Sequence, residues 1–414
     1  MRIALGVLVL GCGARSAHPG IDAPGEDAGR DTGVSTLDAG TDELDLGADS
    51  RPSDYPEADD WTDVDPSAVE GQPCCDLVGD PVELDGVQNA SGEPVVAWDG
   101  SGWGVAWGST FRQLDEEAQP IGDLVTVGSG STYCAALEWG ADRYGFAGHG
   151  RGGGIEVAML DSGGAPIGAP GGFGNPAEHP DLTRQVHGHG WILGSLEDGE
   201  DAVARWVTDE AILSNESVVM GRPAPSRGPQ VVGLASRTSV VWLEDWTGVW
   251  HRGLAWPEPT GDAVQILDML SFEDSSLEAV AFRDWTVVAG MNGSVRISIF
   301  DPWEEELVAA GVVAESGIID RRPRLAPVDE RGYLGLCFAQ GPGPAGGSGG
   351  EDGIELGLLG NDGTLWGQII PVVEGLRNAG GCGLGWNGTD FLVVWWEAAL
   401  ENNRILAQRV RPRI

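Results

Sequence analysis

Lysine is missing from this sequence of 414 residues, so all 24 basic side chains are arginine, against 64 aspartates and glutamates. A net charge of −40 repels phosphates and anionic headgroups, which argues against a nucleic-acid partner. Without lysine there is no Gly-X-X-X-X-Gly-Lys-Ser/Thr phosphate loop, and the His-Glu-X-X-His motif of zinc hydrolases is also missing. No apolar run approaches the length a bilayer demands. No long stretch carries helical periodicity. Tyrosine and phenylalanine are scarce, 4 and 8, beside 17 tryptophans. What abounds is glycine, 66, and proline, 25, the residues of turns. The length admits two or three average domains or one large all-β domain.

The first residues read as an export signal. Met1-Arg2 supplies positive charge, and Ile3 to Leu10 is a short apolar core. Val9-Leu10-Gly11-Cys12 resembles a bacterial lipobox. That resemblance implies removal of residues 1–11 and acylation of Cys12. An ordinary signal peptide with an incidental cysteine is the alternative. Gly13 follows directly, with no aspartate to signal inner-membrane retention, which points to the outer membrane or cell surface. The lipid would be the only contact with the membrane. Residues 12–75 form an acidic linker, with sixteen Asp/Glu against three Arg in 13–73. Such a stretch cannot bury enough apolar surface to offset its ordering entropy, so disorder is expected.

From residue 76 to 414 the chain repeats itself. Each unit has a short apolar run, a polar turn, an anchor that is usually aromatic, and a second apolar run. Val95-Val96-Ala97-Trp98-Asp99-Gly100-Ser101-Gly102-Trp103-Gly104-Val105-Ala106-Trp107 and Gly383-Leu384-Gly385-Trp386-Asn387-Gly388-Thr389-Asp390-Phe391-Leu392-Val393-Val394-Trp395 are the clearest copies. Weaker copies centre on Tyr144, Trp191, Thr238, Trp285 and Tyr333. Anchor spacings are 41, 47, 47, 47, 48 and 58, the last stretched by a Gly-rich insertion at 341–353. A second hairpin follows in each unit, as in Phe111-Arg112-Gln113-Leu114-Asp115 leading to Pro120-Ile121-Gly122. Four strands per repeat of this length is the pattern of a propeller blade, and seven anchors mean seven blades. The last unit lacks a fourth strand, and residues 78–84 match fourth-strand text. The expectation is an all-β, seven-bladed β-propeller closed by an N-terminal strand that completes the C-terminal blade.

These motifs resemble a family of secreted repeat lipoproteins from bacteria such as myxobacteria, with repeats of the type P-x-V-A-W-[DN]-G-x-x-[YF]-L-V-V-W. The resemblance covers about 76–414, close in the first and last units and degenerate between. It implies fold and location and leaves the ligand open.

Candidate chemistry is sparse. Asn361-Asp362-Gly363-Thr364-Leu365-Trp366 approaches the Asp-box of sialidase propellers, but it falls where every unit has a hairpin turn. His187 and His189 share a turn without a third metal ligand nearby. Arg321, Arg322 and Arg324 fall between blades and read as a solvated loop. Trp246 and Trp250, beside Glu244 and Asp245, form a candidate carbohydrate or peptide platform on the rim. The competing expectation is that they pack between blades.

After Cys12, five cysteines remain: Cys74, Cys75, Cys134, Cys337 and Cys382. Cys337 lies four residues after anchor Tyr333, and Cys382 nine before anchor Phe391. In a hairpin whose turn takes the four residues before the anchor, position −9 faces +4. The two cysteines therefore stand at one height in neighbouring blades. A disulfide needs Cα atoms within roughly 7 Å, so the blades must converge there. Closing that loop would contribute roughly 3–4 kcal/mol. The alternative is that Cys337 is a small core residue. A Cys74–Cys75 bond is one option among several for the rest.

Three functions stay open: an interaction module on the cell envelope, a glycan-directed propeller hydrolase, and a structural envelope component. The first is favoured, as a monomer with an unknown protein or carbohydrate ligand, no cofactor, no metal and no assigned catalytic residue. A hydrolase would gather charged residues from several blades at one mouth of the channel. An interaction module would show an asymmetric patch with aromatic anchors.

Overall fold

Alternation of small apolar and polar residues, punctuated by Gly, Asp and Asn, yields short strands and tight hairpins throughout. The computed structural model describes residues 71–85, 93–129, 135–150, 154–173, 177–185, 190–197, 201–221, 226–234, 238–244, 248–255, 258–267, 276–291, 294–302, 306–315, 322–328, 332–340, 352–376, 379–398 and 403–414. Cys12, Cys134, His187, His189, Arg321 and the linker expected before residue 71 lie outside them. Among the described residues every regular element is a strand.

The first strand, β1, is Cys75–Asp85. Blade 1 is β2 (Val95–Trp98), β3 (Trp103–Trp107), β4 (Thr110–Leu114) and β5 (Pro120–Thr126). Blade 2 is β6 (Ala135–Gly140), β7 (Arg143–His149), β8 (Ile155–Leu160) and β9 (Gly171–Phe173). Blade 3 is β10 (Ala177–Arg184), β11 (Trp191–Glu197), β12 (Asp201–Val207) and β13 (Leu213–Gly221). Blade 4 is β14 (Ser226–Gly233), β15 (Thr238–Glu244), β16 (Gly248–Ala255) and β17 (Glu258–Leu267). Blade 5 is β18 (Ser276–Phe282), β19 (Trp285–Met291), β20 (Ser294–Asp301) and β21 (Glu306–Glu315). Blade 6 is β22 (Arg324–Val328), β23 (Tyr333–Gln340), β24 (Asp352–Leu359) and β25 (Ile370–Leu376). Blade 7 is β26 (Ala379–Trp386), β27 (Phe391–Ala398) and β28 (Asn403–Pro412), completed by β1 in the order β1-β28-β27-β26.

The chain is therefore a seven-bladed β-propeller. Each anchor stands at or beside the start of its blade's second strand. Val78 pairs with Arg409, Val82 with Ala407 and Glu83 with Leu406, which closes the ring. The pairing begins slightly before the expected boundary at 76. Gln72 accepts from the Gln368 N–H at 2.8 Å and Cys74 N–H donates to Gln368 at 3.0 Å, so this segment also grips blade 6.

The core is a ring of clusters lying between blades rather than one central mass. One joins Val105 and Trp107 of blade 1 to Leu392 and Val394 of blade 7. Another joins Ile192 and Ala204 of blade 3 to Val240 and Trp242 of blade 4. Trp103, Trp191, Trp242 and Trp395 are fully enclosed. Each removes about 200 Å² from water, on the order of 5 kcal/mol. Regular blades fit an anchor ring against a glycine of the preceding blade. A Cβ on Gly104 would stand 2.5 Å from Tyr144, and one on Gly335 would stand 2.5 Å from Phe391. The second strand of blade 4 opens instead with the small Thr238, and the corresponding residue of blade 3 is the larger Ile192.

Candidate functional site

The first strands β2, β6, β10, β14, β18, β22 and β26 line a central channel with a cavity of about 430 Å³. Strand alternation gives those seven strands their inward side chains, and small apolar residues fill most of these places. The exceptions are grouped by height and by blade.

At the end where the first strands begin, polar groups converge. Asp181 faces Gly194 and Gln230 faces Val241, three residues beyond their anchors. Glu278 faces Ala289 and Arg324 faces Cys337, four beyond theirs. Glu93 and Arg322 reach the same level from just before β2 and β22. Arg324 donates from Nη1 to Glu278 Oε2 at 3.2 Å and from Nη2 to Glu93 Oε2 at 3.4 Å. Arg322 Nε stands 2.8 Å from Glu278 Oε2, its Nη2 donates to Gln230 Oε1, and its backbone N–H donates to Glu93 Oε1 at 3.3 Å. Asp181 Oδ2 accepts the Val231 N–H at 2.8 Å. Arg322 and Arg324 thus leave the solvated loop expected for them. Register carries Arg324 to the head of β22, 7% exposed, and Arg322 turns in to meet Glu278.

Nearer the middle, Glu138 joins blades 2 and 3. It accepts the Arg184 N–H at 3.1 Å and the Thr183 hydroxyl at 3.4 Å. Enclosure in the channel, away from bulk water, pushes Glu138 up to about 8. The same enclosure raises Asp181 to about 6; Arg322 opposes that shift and the Glu278 carboxylate adds to it. Two carboxyl groups with separated proton affinities therefore share one channel.

The other end is aromatic. Trp98, Trp139 and Trp386 stand at or beside the ends of the first strands of blades 1, 2 and 7, and each pairs directly with its anchor. Their rings meet Trp103, Tyr144 and Phe391 at centroid distances of 4.8, 4.7 and 4.8 Å. All three are half-buried and line the cavity. At about 3.3 Å per residue, the tryptophan and charged levels are roughly 10–13 Å apart along the channel.

The residues singled out from sequence are distributed otherwise. Glu244 ends β15, while Asp245 and Trp246 lie outside the described residues. Trp250 faces Trp242 across β15 and β16 and packs half-buried between blades 3 and 4. Cys337 and Cys382 are joined in a disulfide with Cα atoms 6.4 Å apart. Asp362 holds a hairpin turn, accepting the Thr364 N–H at 2.9 Å and its hydroxyl at 2.6 Å. Among the described residues no three His, Cys, Asp or Glu side chains are grouped to hold a metal ion.

Sequence reasoning missed the channel residues. The available signal was a lone charge inside a first-strand run, as in Ala135-Ala136-Leu137-Glu138-Trp139 and Ser276-Leu277-Glu278-Ala279-Val280.

No protein-family model and no curated relative matches the chain. Solved structures do. The structure of U3-55K superposes with a TM-score of 0.53 at 12% identity, covering 80% of this chain and 98% of that one. The WD40 repeats of RRP9 give 0.51 at 11% identity, covering 81% and 100%. At such identities the likeness concerns the propeller fold.

Proposed function

We propose that the chain is a cell-envelope lipoprotein of the secreted bacterial repeat type, anchored through acylated Cys12, whose propeller binds a carbohydrate in its central channel. One observation carries the binding reading. The cavity places three half-buried tryptophans at one end and a mixed set of carboxylates and guanidinium groups at the other. Sugar rings present apolar faces to tryptophan and hydroxyls that both donate and accept. A cavity of about 430 Å³ is within the range of small-ligand sites. A peptide is the competing ligand.

The hydrolase reading keeps two supporting observations: charged side chains of blades 3, 5 and 6 gather with Glu93 at one end of the channel, and Asp181 is raised toward neutrality while its neighbours Glu278 and Arg322 pair. That separation suits a general acid.

Glycan and peptide arrays probed with the purified chain test the proposal. Binding to a subset of glycans is expected, weakened in Asp181→Asn with its melting transition intact. Binding confined to peptides overturns the carbohydrate assignment. Release of new reducing ends by the wild type, lost in Asp181→Asn, selects the hydrolase. For the anchor, the wild type is expected in the detergent phase and Cys12→Ser in the aqueous phase. Detergent partition of Cys12→Ser would contradict lipidation.

A further inference from the structure

Cys74 and Cys75 sit where the chain passes from the edge of blade 6 into the closing strand of blade 7. Neighbours along an extended strand point to opposite faces. Here both side chains are buried, 2% and 3% exposed, and their sulfurs lie 2.9 Å apart. That is closer than two unbonded sulfurs pack. The backbone is held on both sides: Cys74 N–H donates to Gln368 at 3.0 Å, and Cys74 C=O accepts the Arg413 N–H at 2.8 Å. Gly367 leaves room, since a Cβ there would stand 3.2 Å from Cys74 Cα. The pair belongs to the same buried cluster as Cys337 and Cys382. Four cysteines permit three pairings, and Cys337 is already bonded to Cys382.

We infer that Cys74 and Cys75 are a modification site, joined in the mature protein as a vicinal disulfide that clamps the chain at the seam between blades 6 and 7. The inference rests on the export proposed above, because a reducing cytoplasm would keep the thiols. The oxidant is a disulfide of the thiol–disulfide exchange class. One cysteine thiolate attacks it, forms a mixed disulfide and expels one thiolate of the oxidant. The neighbouring thiolate then attacks the mixed disulfide, forms the Sγ–Sγ bond and expels the second. The pair loses two protons and two electrons, and the oxidant leaves as two thiols.

Exchange requires thiolates and access. In the closed ring Cys75 has neither: the adjoining Cys74 and burial both push its thiol far up. The bond therefore forms before β1 docks on β28. Once docked, it resists reductant.

Peptide mapping after alkylation of the denatured, unreduced full-length chain tests this in two arms. One uses protein isolated from the envelope, the other reduced protein refolded with oxidised glutathione. In both, the peptide spanning 74–75 is expected without label and lighter by two hydrogens. Label on both residues after refolding overturns the inference. So does a bond from either residue to Cys134, Cys337 or Cys382. If refolding gives the bond but envelope protein carries label on all of Cys74, Cys75, Cys337 and Cys382, export fails and with it the bond in the mature protein. In folded protein, dithiothreitol is expected to free neither sulfur until the chain unfolds. In Cys75→Ser, Cys74 is expected to label readily once denatured without reductant; absence of label there would place Cys74 in another bond and overturn the pairing.

Discussion

Blades 7, 1 and 2 and blades 3 to 6 build the same ring by different means. The first group seats anchor rings on glycine and lines the channel with Trp98, Trp139 and Trp386, and its blades 7 and 1 keep the repeat text closely. The second departs from the text and places Asp181, Gln230, Glu278 and Arg324 on its inner strands. Polar contacts join blades in both groups: the buried Thr286 hydroxyl lies 3.0 Å from that of Ser239, and the Tyr144 hydroxyl donates to Asp99 at 2.8 Å. Regular sequence marks where packing decides most residues. Degenerate sequence marks where the channel asks for charge. Exceptions occur in both groups: Glu93 and Glu138 among the regular blades, and among the others the buried Phe282 and Trp191, whose ring sits against Gly145 of blade 2.

The largest expected effect is on closure, which belongs to the regular side. Deleting 72–85 removes β1 and its whole pairing with β28. The melting temperature is expected to fall by about 10 °C or more. Deleting 13–70 is expected to leave it unchanged. Equal falls in calorimetry would break the assignment of closure to β1.

Next is the charged side. Glu278→Ala strips both Arg322 and Arg324 of a carboxylate inside the channel. A cost of about 3 kcal/mol in denaturant unfolding is expected, because uncompensated buried charge remains. A cost comparable with an exposed ion pair, below about 1 kcal/mol, would mean that water fills the channel freely.

Fold and site were legible to different degrees for the same reason. Anchors 103, 144, 191, 238 and 391 were readable because they are buried between blades, and the half-buried 285 and 333 because the repeat spacing reaches them. The height of Cys337 and Cys382 followed from a turn of fixed length, and Cys382 does face Trp395, four past its anchor. That register fails in two blades. Arg184 pairs with Trp191 across a longer turn, and Phe282 with Trp285 across a shorter one. Arg322 and Arg324 were misread because a polar pair beside Pro323 looks like a loop until the opposing carboxylates are in place. Nothing local to either residue announces Glu93 or Glu278, which come from other blades.

Protonation sharpens the comparison further. Folding raises Glu138 from an ordinary 4.5 to about 8 and Asp181 from 3.8 to about 6. The folded state then binds protons that the unfolded chain has released. Their stabilising contribution is complete below about pH 4 and is lost as pH rises through 6 and then 8. Asp390 behaves oppositely. It is buried, yet bonds from Arg411 and Arg409 outweigh that burial and lower it, so its contribution is present at neutral pH and lost on acidification. Glu138→Gln is expected to match the wild type near pH 4 and to melt higher at pH 9. No gain at pH 9 would mean that Glu138 is well hydrated.

The smallest effect is a control on the regular side. Ala141 occupies an exposed hairpin turn with φ of 59°. Ala141→Gly is expected to stabilise by about 0.5–1 kcal/mol by relieving left-handed backbone strain. A loss of stability would contradict the turn geometry.

The central claim is that ligand enters the channel and stacks on its aromatic end. The most direct measurement is calorimetric affinity for an array-selected glycan in Trp98→Ala, Trp139→Ala, Trp386→Ala and Trp250→Phe, each checked for an intact melting transition. The account predicts roughly tenfold or greater loss, about 1.4 kcal/mol, in the three channel variants and none in Trp250→Phe. Wild-type affinity in the channel variants, with binding lost in Trp250→Phe, would place the ligand on the rim of blade 4 and contradict it.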